Sequence, residues 1–190
     1  MMLLIFDNGS STLSDLTAAL DTIRINYQVV KNDVDLELSN FTGLILSGRR
    51  FAQDGINHSN IKMIHEAISF SKPILGICYG SEVLALAYGG SLRKLEAKVE
   101  GLVQVTIVES NSLTRERKKL NVYESHRFEV SFLPPYFDSL GTSDSGKHEI
   151  FGKESMKIYG VQFHPECSGE DGLFIVSNFA TICGCRPFSG

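Results

Sequence analysis

The sequence predicts an α/β fold: a mainly parallel twisted sheet with helices on both faces and an antiparallel extension. Short, uniformly apolar runs, typical of strands buried on both faces, alternate with segments of helical periodicity through the first half of the chain. Such alternation implies parallel strands joined by right-handed crossovers. After residue 90 the helical segments stop, and short strands follow one another with turns between them, which indicates antiparallel pairing.

Each element has its own signal. In the first half, apolar runs predict strands and apolar residues on one face predict helices: strands at 2–6, 27–30, 43–46 and 73–77, and helices at 14–25, 61–70 and 81–88. In the second half we predict strands at 101–108, 121–124, 148–152 and 156–163 and a closing helix at 172–182. We expect one domain over residues 1–190, because no linker or repeat interrupts the pattern.

Composition excludes several functions. The net charge of −4 gives no field that would attract nucleic acid or an anionic membrane. The N-terminus has no basic region before its apolar residues, and no apolar run approaches the roughly 20 residues that span a bilayer. Four unevenly spaced cysteines do not form a disulfide framework, and Cys183 and Cys185 have no second pair that would complete a metal site. We therefore expect a cytoplasmic protein without a metal.

The segment GICYG at 76–80 is the most informative motif. It stands between a predicted buried strand and a predicted helix, and its spacing is that of a nucleophile elbow with cysteine at the centre. Flanking glycines permit the sharp turn, and the helix N-terminus stabilises negative charge on the Cys78 thiolate. A buried structural cysteine in a glycine-rich turn is the alternative, so the motif needs a base.

Among the five histidines, His164 is the best candidate for that base. It opens the segment HPE directly after the strand predicted at 156–163, where α/β sheets bind ligands. Glu166 lies close enough in sequence to orient the imidazole, giving a nucleophile, a base and an orienting acid. An oxyanion hole is also required; the backbone N–H of Tyr79 opens the helix, and a second donor could come from the loop of Ser47, Gly48 and Arg49.

With these residues assembled, the chain resembles class I glutamine amidotransferase domains, whose fold is flavodoxin-like. The matching segments are DNG at 7–9, LILSG at 44–48, PILGICYG at 73–80, LALAYGG at 84–90, YGVQFHPE at 159–166 and GLFIVSNFATICG at 172–184. Within the family the chain is similar to the glutaminase subunit of two-subunit GMP synthases, through ESHRFEV at 124–130 and the following Leu-Pro pair.

This resemblance implies a reaction and a partner. The Cys78 thiolate would attack the side-chain amide of glutamine, and His164, held by Glu166, would protonate the departing ammonia. Ammonia would pass to a separate ATP-dependent synthetase subunit that converts XMP to GMP. The chain itself would hold no cofactor, since ATP and Mg²⁺ would bind to that partner. The resemblance also implies substrate contacts from Gly48, Glu82, Ser125 and His126, and an oxyanion donor at Arg49.

Two positions depart from the family pattern. Arg49 stands where a second glycine is usual, so a positive φ there would be strained. Glu82 stands where glutamine is usual, and an ionised carboxylate could only accept hydrogen bonds. Either Glu82 is protonated, or it pairs with Arg49 or Arg127, or glutaminase activity is weakened.

Other interpretations stay open at this point. The small subunit of anthranilate synthase, or of another amidotransferase, has the same scaffold, and a non-catalytic relative that only binds a partner would tolerate both departures. A peptidase or γ-glutamyl hydrolase has no specific residue support. The basic run at 115–119 is either a solvated surface or a docking patch.

Overall fold

The computed structural model describes residues 1–31, 37–51 and 55–187. In these residues nine strands form one sheet, accompanied by four α-helices. The strands are β1 Leu3–Phe6, β2 Tyr27–Val30, β3 Gly43–Leu46, β4 Ile74–Ile77, β5 Ser91–Ile107, β6 Lys119–Phe132, β7 Asp138–Thr142, β8 Ile150–Lys153 and β9 Ile158–Val161. The helices are α1 Leu13–Thr22, α2 Ile56–Ser69, α3 Tyr79–Ala87 and α4 Gly169–Ile182.

The strand order is β2-β1-β3-β4-β9-β8-β7-β5-β6. The first five strands pair in parallel, and β8, β7, β5 and β6 continue the same sheet with antiparallel pairing. This confirms the predicted α/β class and its antiparallel extension, although that extension is larger than the sequence indicated. All the strands belong to one sheet; that a single domain spans residues 1–190 stays a prediction.

Helices cover both faces of the parallel part, as predicted. Successive side chains of a strand point to opposite faces, and β1 shows this directly. Leu3 and Ile5 belong to the apolar layer that includes α1 and α4, whereas Leu4 and Phe6 belong to the layer of α2 and α3. None of the helices in the described residues has the length and apolar character needed to cross a membrane.

Several boundaries differ from the predictions. Strand β5 begins ten residues before the predicted 101–108, strand β6 ends eight residues after the predicted 121–124, and β7 was not predicted at all. The first half of β5 could not be recognised from the sequence. Its mostly charged and exposed residues at 93–98 break the apolar alternation by which a half-buried strand is recognised. Helix α2 begins five residues before the predicted start at 61, and α4 three residues before 172.

Candidate active site

The elbow places Cys78 between the end of β4 and the start of α3. Its backbone has φ 49° and ψ −109°, a positive φ that is unusual for a residue with a side chain. Hydrogen bonds hold this conformation: the Cys78 N–H donates to the Val161 carbonyl at 2.8 Å, and the Cys78 carbonyl accepts from the Glu82 N–H at 3.1 Å. Strained backbone held in this way is typical of functional sites.

The two glycines of the motif are required by close packing. A Cβ atom on Gly80 would lie 2.2 Å from the carbonyl oxygen of Leu46 in β3. A Cβ atom on Gly76 would lie 2.7 Å from the backbone of Gly80 and Ser81. Their spacing around Cys78 therefore lets α3 approach the sheet closely enough to place the thiol above the carboxyl edge of the parallel strands.

We expect Gly80→Ala to lower the free energy of unfolding by about 3 kcal/mol, because backbone atoms must move to accommodate the methyl group. Gly89→Ala is the matched control: Gly89 has φ +88° but no atom within 4 Å of an added Cβ, so only conformational strain of about 1 kcal/mol applies. Urea unfolding of both variants measures the difference. Equal losses would mean that the contact with Leu46 is not what requires glycine.

His164 lies just beyond β9 and is oriented by Glu166. The His164 backbone N–H donates to the Tyr123 carbonyl of β6 at 2.8 Å. Its Nδ1 lies 2.8 Å from Glu166 Oε1, which leaves Nε2 for the hydrogen bond with the Cys78 thiol. Glu166 is in a short 3-10 turn that starts at Pro165. The structure therefore brings together the three residues that the sequence predicted as nucleophile, base and orienting acid.

The electrostatics of this group favour an imidazolium. Burial lowers the pKa of His164, but the hydrogen bonds and negative charges of Cys78 and Glu166 outweigh burial and raise that pKa to about 10. His164 is thus positively charged at neutral pH, between the Cys78 sulfur and the Glu166 carboxylate. Such a cation can donate a proton to a leaving group.

Thr12 is a further member of this group that the sequence analysis missed. Its hydroxyl donates to Glu166 Oε1 at 2.6 Å and lies 3.0 Å from the Ser10 hydroxyl. Thr12 precedes α1, in the turn after β1. The available signal was a run of hydroxyl residues at the carboxyl end of a parallel strand, at the same edge of the sheet as Cys78.

A cavity of about 540 Å³ opens in front of the thiol. We call it the active-site cavity. Most of the residues predicted for the site line it: Cys78, His164, Tyr79, Arg49, Glu82, Ser125 and His126. Two predicted residues do not. Glu166 lies behind His164, and Gly48 is close to the imidazole, since a Cβ there would lie 3.0 Å from His164 Cε1.

Both predicted oxyanion donors are at the edge of this cavity. Tyr79 is the first residue of α3, so its N–H has no carbonyl partner within the helix. Arg49 is not among the residues with positive φ, so the strain considered for a residue with a side chain does not arise. Its guanidinium Cζ lies 3.7 Å from the centre of the Tyr79 ring. This stacking holds the side chain against α3.

Glu82 is buried at the cavity wall. Burial raises its pKa to about 7, although the Gln162 amide, the His126 imidazole and the Arg49 guanidinium oppose that shift. Gln162 Nε2 makes no hydrogen bond of normal geometry among the described residues. Within the described chain Glu82 makes no ion pair with Arg49 or Arg127. The structure therefore gives no support to pairing with either arginine, and a pKa of about 7 leaves the Glu82 carboxyl partly protonated at neutral pH.

Ser125 and His126 reach the cavity in different ways. The Ser125 carbonyl oxygen lies 4.0 Å from the Cys78 sulfur. His126 has both ring nitrogens engaged within the protein: Nδ1 lies 2.8 Å from the Phe128 carbonyl and Nε2 3.2 Å from Glu124 Oε2. The ring therefore lines the cavity without offering a free nitrogen to a substrate.

Known proteins are similar to this chain in sequence and in fold. The family described as glutamine amidotransferase class-I matches residues 4–183. The chain is 35% identical over 188 residues to the glutamine-hydrolyzing GMP synthase subunit of Pyrococcus abyssi, covering 96% of this chain and 99% of that protein. Identity to the protein of the same name from Methanocaldococcus jannaschii is 34% over 191 residues, or 97% and 99% of the two chains. The crystal structure of a candidate GMP synthase subunit from Thermoplasma acidophilum has a TM-score of 0.87 at 28% identity, covering 97% and 94%. By these matches the chain belongs to the class-I glutamine amidotransferase family.

Proposed function

We propose that this chain is the glutaminase subunit of a two-subunit GMP synthase. The observation that carries the glutaminase chemistry is the hydrogen-bonded series of Cys78, His164 and Glu166 at a strained elbow. The names of the relatives, which match almost end to end, support the assignment to GMP synthase. Ammonia would be delivered to a separate ATP-dependent synthetase subunit, which would bind ATP, Mg²⁺ and XMP.

The reaction uses each group in turn. The Cys78 thiolate attacks the side-chain amide carbon of glutamine, and the developing oxyanion accepts hydrogen bonds from the N–H groups of Tyr79 and Arg49. The His164 imidazolium protonates the amide nitrogen, which leaves as ammonia and gives a γ-glutamyl thioester. Neutral His164 then takes a proton from water, the hydroxide attacks the thioester, and glutamate leaves with Cys78 again a thiolate beside imidazolium.

The decisive experiment measures glutamate and ammonia release by the purified chain, both by itself and with the synthetase partner, ATP, Mg²⁺ and XMP. We expect release to be greatest with the complete mixture and to be accompanied by GMP. If no mixture releases glutamate and ammonia, the chain is a partner-binding relative that does not catalyse glutamine hydrolysis. Release that instead requires chorismate and the large subunit of anthranilate synthase would assign the chain to that enzyme.

Glu82→Gln tests the departure in the substrate pocket. Because the pKa of Glu82 is raised to about 7, the wild-type carboxyl is mostly ionised at pH 8 and mostly protonated at pH 6. The negative charge of ionised Glu82, beside the thiolate and the substrate, opposes attack of the thiolate on the amide carbon. A glutamine side chain at position 82 is neutral at both pH values. We expect kcat/KM for glutamine to rise about tenfold at pH 8 and to change by less than about twofold at pH 6.

The control is Glu96→Gln, which removes the same charge from an exposed site on β5. It should leave kcat/KM close to wild type at both pH values. If Glu82→Gln also matches wild type at pH 8, Glu82 does not act on the bound substrate.

A further inference from the structure

Three ionisable side chains are buried behind one wall of the active-site cavity and take no part in the reaction proposed above. Glu124 and His126 are on β6, and Glu149 is in the connection from β7 to β8; their exposed fractions are 0%, 5% and 1%. We call them the acid–imidazole cluster. Buried charges are costly unless they are paired and hydrogen-bonded, so the protonation of this cluster matters.

Both ring nitrogens of His126 lie beside oxygen atoms of the protein, an arrangement that favours the imidazolium. The Phe128 carbonyl can only accept, so Nδ1 carries a proton, and Nε2 faces Glu124 Oε2 at 3.2 Å. Burial lowers the pKa of His126, but the bonds to Glu124 and to the Phe128 carbonyl outweigh burial and raise it. An imidazolium at position 126 would place one positive charge inside the cluster.

The two carboxyl groups are each satisfied on one oxygen. Glu124 Oε2 accepts from His126 and from the Ser145 hydroxyl at 3.1 Å, and Glu149 Oε1 accepts from the Ser143 hydroxyl at 2.8 Å. The remaining oxygens, Glu124 Oε1 and Glu149 Oε2, are buried with no hydrogen-bond partner among the described residues. The Ser145 hydroxyl lies 3.1 Å from an oxygen of Glu124 and 3.4 Å from an oxygen of Glu149, so the two carboxyl groups are neighbours. One proton shared between them would give a partner to oxygens that otherwise have none.

We propose that Glu124 and Glu149 share one proton, and that the resulting monoanion, paired with the His126 imidazolium, positions strand β6 at the catalytic thiol. Two ionised carboxyl groups would carry two negative charges. One shared proton and the positive charge of the imidazolium balance them, so the cluster is neutral overall. Burial and the charge of Glu124 raise the pKa of Glu149 to about 8, which agrees with a proton held at neutral pH.

The effect on the active site is carried by β6. The Tyr123 carbonyl of this strand accepts the backbone N–H of His164, and the Ser125 carbonyl faces the Cys78 sulfur. The cluster joins the same stretch of β6 to the connection between β7 and β8 through Ser143 and Ser145. Glu124, His126 and Glu149 are thus positioning residues, and their part in glutamine hydrolysis rests on the proposed function.

Other charged groups near the cluster do not replace the shared proton. Glu82 approaches His126 from α3. Glu129 of β6 is ion-paired with Arg93. His148, the residue before Glu149, has its pKa lowered by burial despite the charge of Glu129 and is neutral. Loss of the shared proton would therefore leave a buried excess of negative charge.

The test compares Glu149→Gln, Glu149→Ala and the exposed control Glu109→Gln. Glutamine mimics the protonated acid, because its amide N–H can donate to Glu124 Oε1, whereas alanine leaves that oxygen unsatisfied. The first readout is the urea midpoint from pH 5 to pH 9. A carboxyl whose folded pKa is raised binds more protons in the folded than in the unfolded state between about pH 4.5 and 8, so stability falls as pH rises through that window.

We expect wild type and Glu109→Gln to show this fall, Glu149→Gln to show a smaller one, and Glu149→Ala to have the lowest midpoint at pH 6. The second readout is the rate of Cys78 alkylation by iodoacetamide, followed by peptide mass spectrometry so that the other cysteines do not contribute. Glu149→Ala should change this rate at pH 7, while Glu149→Gln keeps it near wild type.

Equal pH dependence in wild type and Glu149→Gln would overturn the shared proton. An alkylation rate that is the same in Glu149→Ala and wild type would overturn the positioning role. Neither readout depends on glutamine turnover, so a chain that hydrolyses no glutamine would refute the proposed function while these two measurements still decide the inference.

Discussion

Replacement of Cys78 by alanine is expected to reduce glutamate release by roughly 10⁵-fold or more, which is the scale of loss when a catalytic nucleophile is removed. The elbow places the Cys78 sulfur at the start of α3 and against His164, and alanine leaves no nucleophile at that position. Residual hydrolysis would have to proceed by direct attack of water. The measurement is glutamate release at saturating glutamine, with the synthetase subunit present.

Two controls separate loss of the nucleophile from loss of structure. Cys185→Ala removes a thiol that contacts Thr42, outside the active-site cavity, and should keep wild-type turnover. In the proposed two-subunit enzyme, added ammonium salt should restore GMP formation with Cys78→Ala, because the synthetase subunit only needs ammonia. Glutamate release that survives in Cys78→Ala would exclude a thioester mechanism through this residue.

The parallel half of the sheet could be predicted closely from the sequence because its signals are local. Strands β1, β3 and β4 are buried on both faces and are therefore uniformly apolar. The antiparallel half has no such signal. The exposed face of β5 is largely charged, and β7, with the sequence DSLGT, contains residues that are rare in strands, so pairing with neighbouring strands decides its conformation.

The residues of the candidate site also divide into those that local sequence motifs predict and those that they do not. Cys78, His164 and Glu166 could be predicted because two short motifs at strand ends contain all three. Thr12 and Glu149 were not predicted, since the contacts of Thr12 with Glu166 and of Glu149 with Glu124 join distant parts of the chain.

At two positions the role of a residue depends on its backbone conformation or its hydrogen bonds, which the residue type alone does not reveal. Arg49 avoids a positive φ although glycine is usual at its position. His126 was expected to contact the substrate, yet both of its ring nitrogens bind protein groups. Neither result follows from the local sequence.

Glu166→Gln is expected to lower kcat by roughly 10³-fold, with a smaller change in KM, because Glu166 stabilises the imidazolium rather than the bound substrate. Glu166 Oε1 accepts from both His164 Nδ1 and the Thr12 hydroxyl. Loss of its negative charge removes one of the two influences that raise the pKa of His164 to about 10. The alkaline limb of the kcat profile, where His164 can no longer protonate ammonia, should therefore move toward neutral pH.

Thr12→Val distinguishes orientation from charge in this pair. Valine removes the hydroxyl that donates to Glu166 Oε1 but leaves the carboxylate charge beside His164. We expect a loss in kcat of about tenfold, comparable to one hydrogen bond to a charged group, and an alkaline limb close to that of wild type. If Glu166→Gln keeps wild-type kcat and its alkaline limb does not move, the carboxylate neither orients nor charges His164. His164 would then hold its proton through the Cys78 thiolate alone.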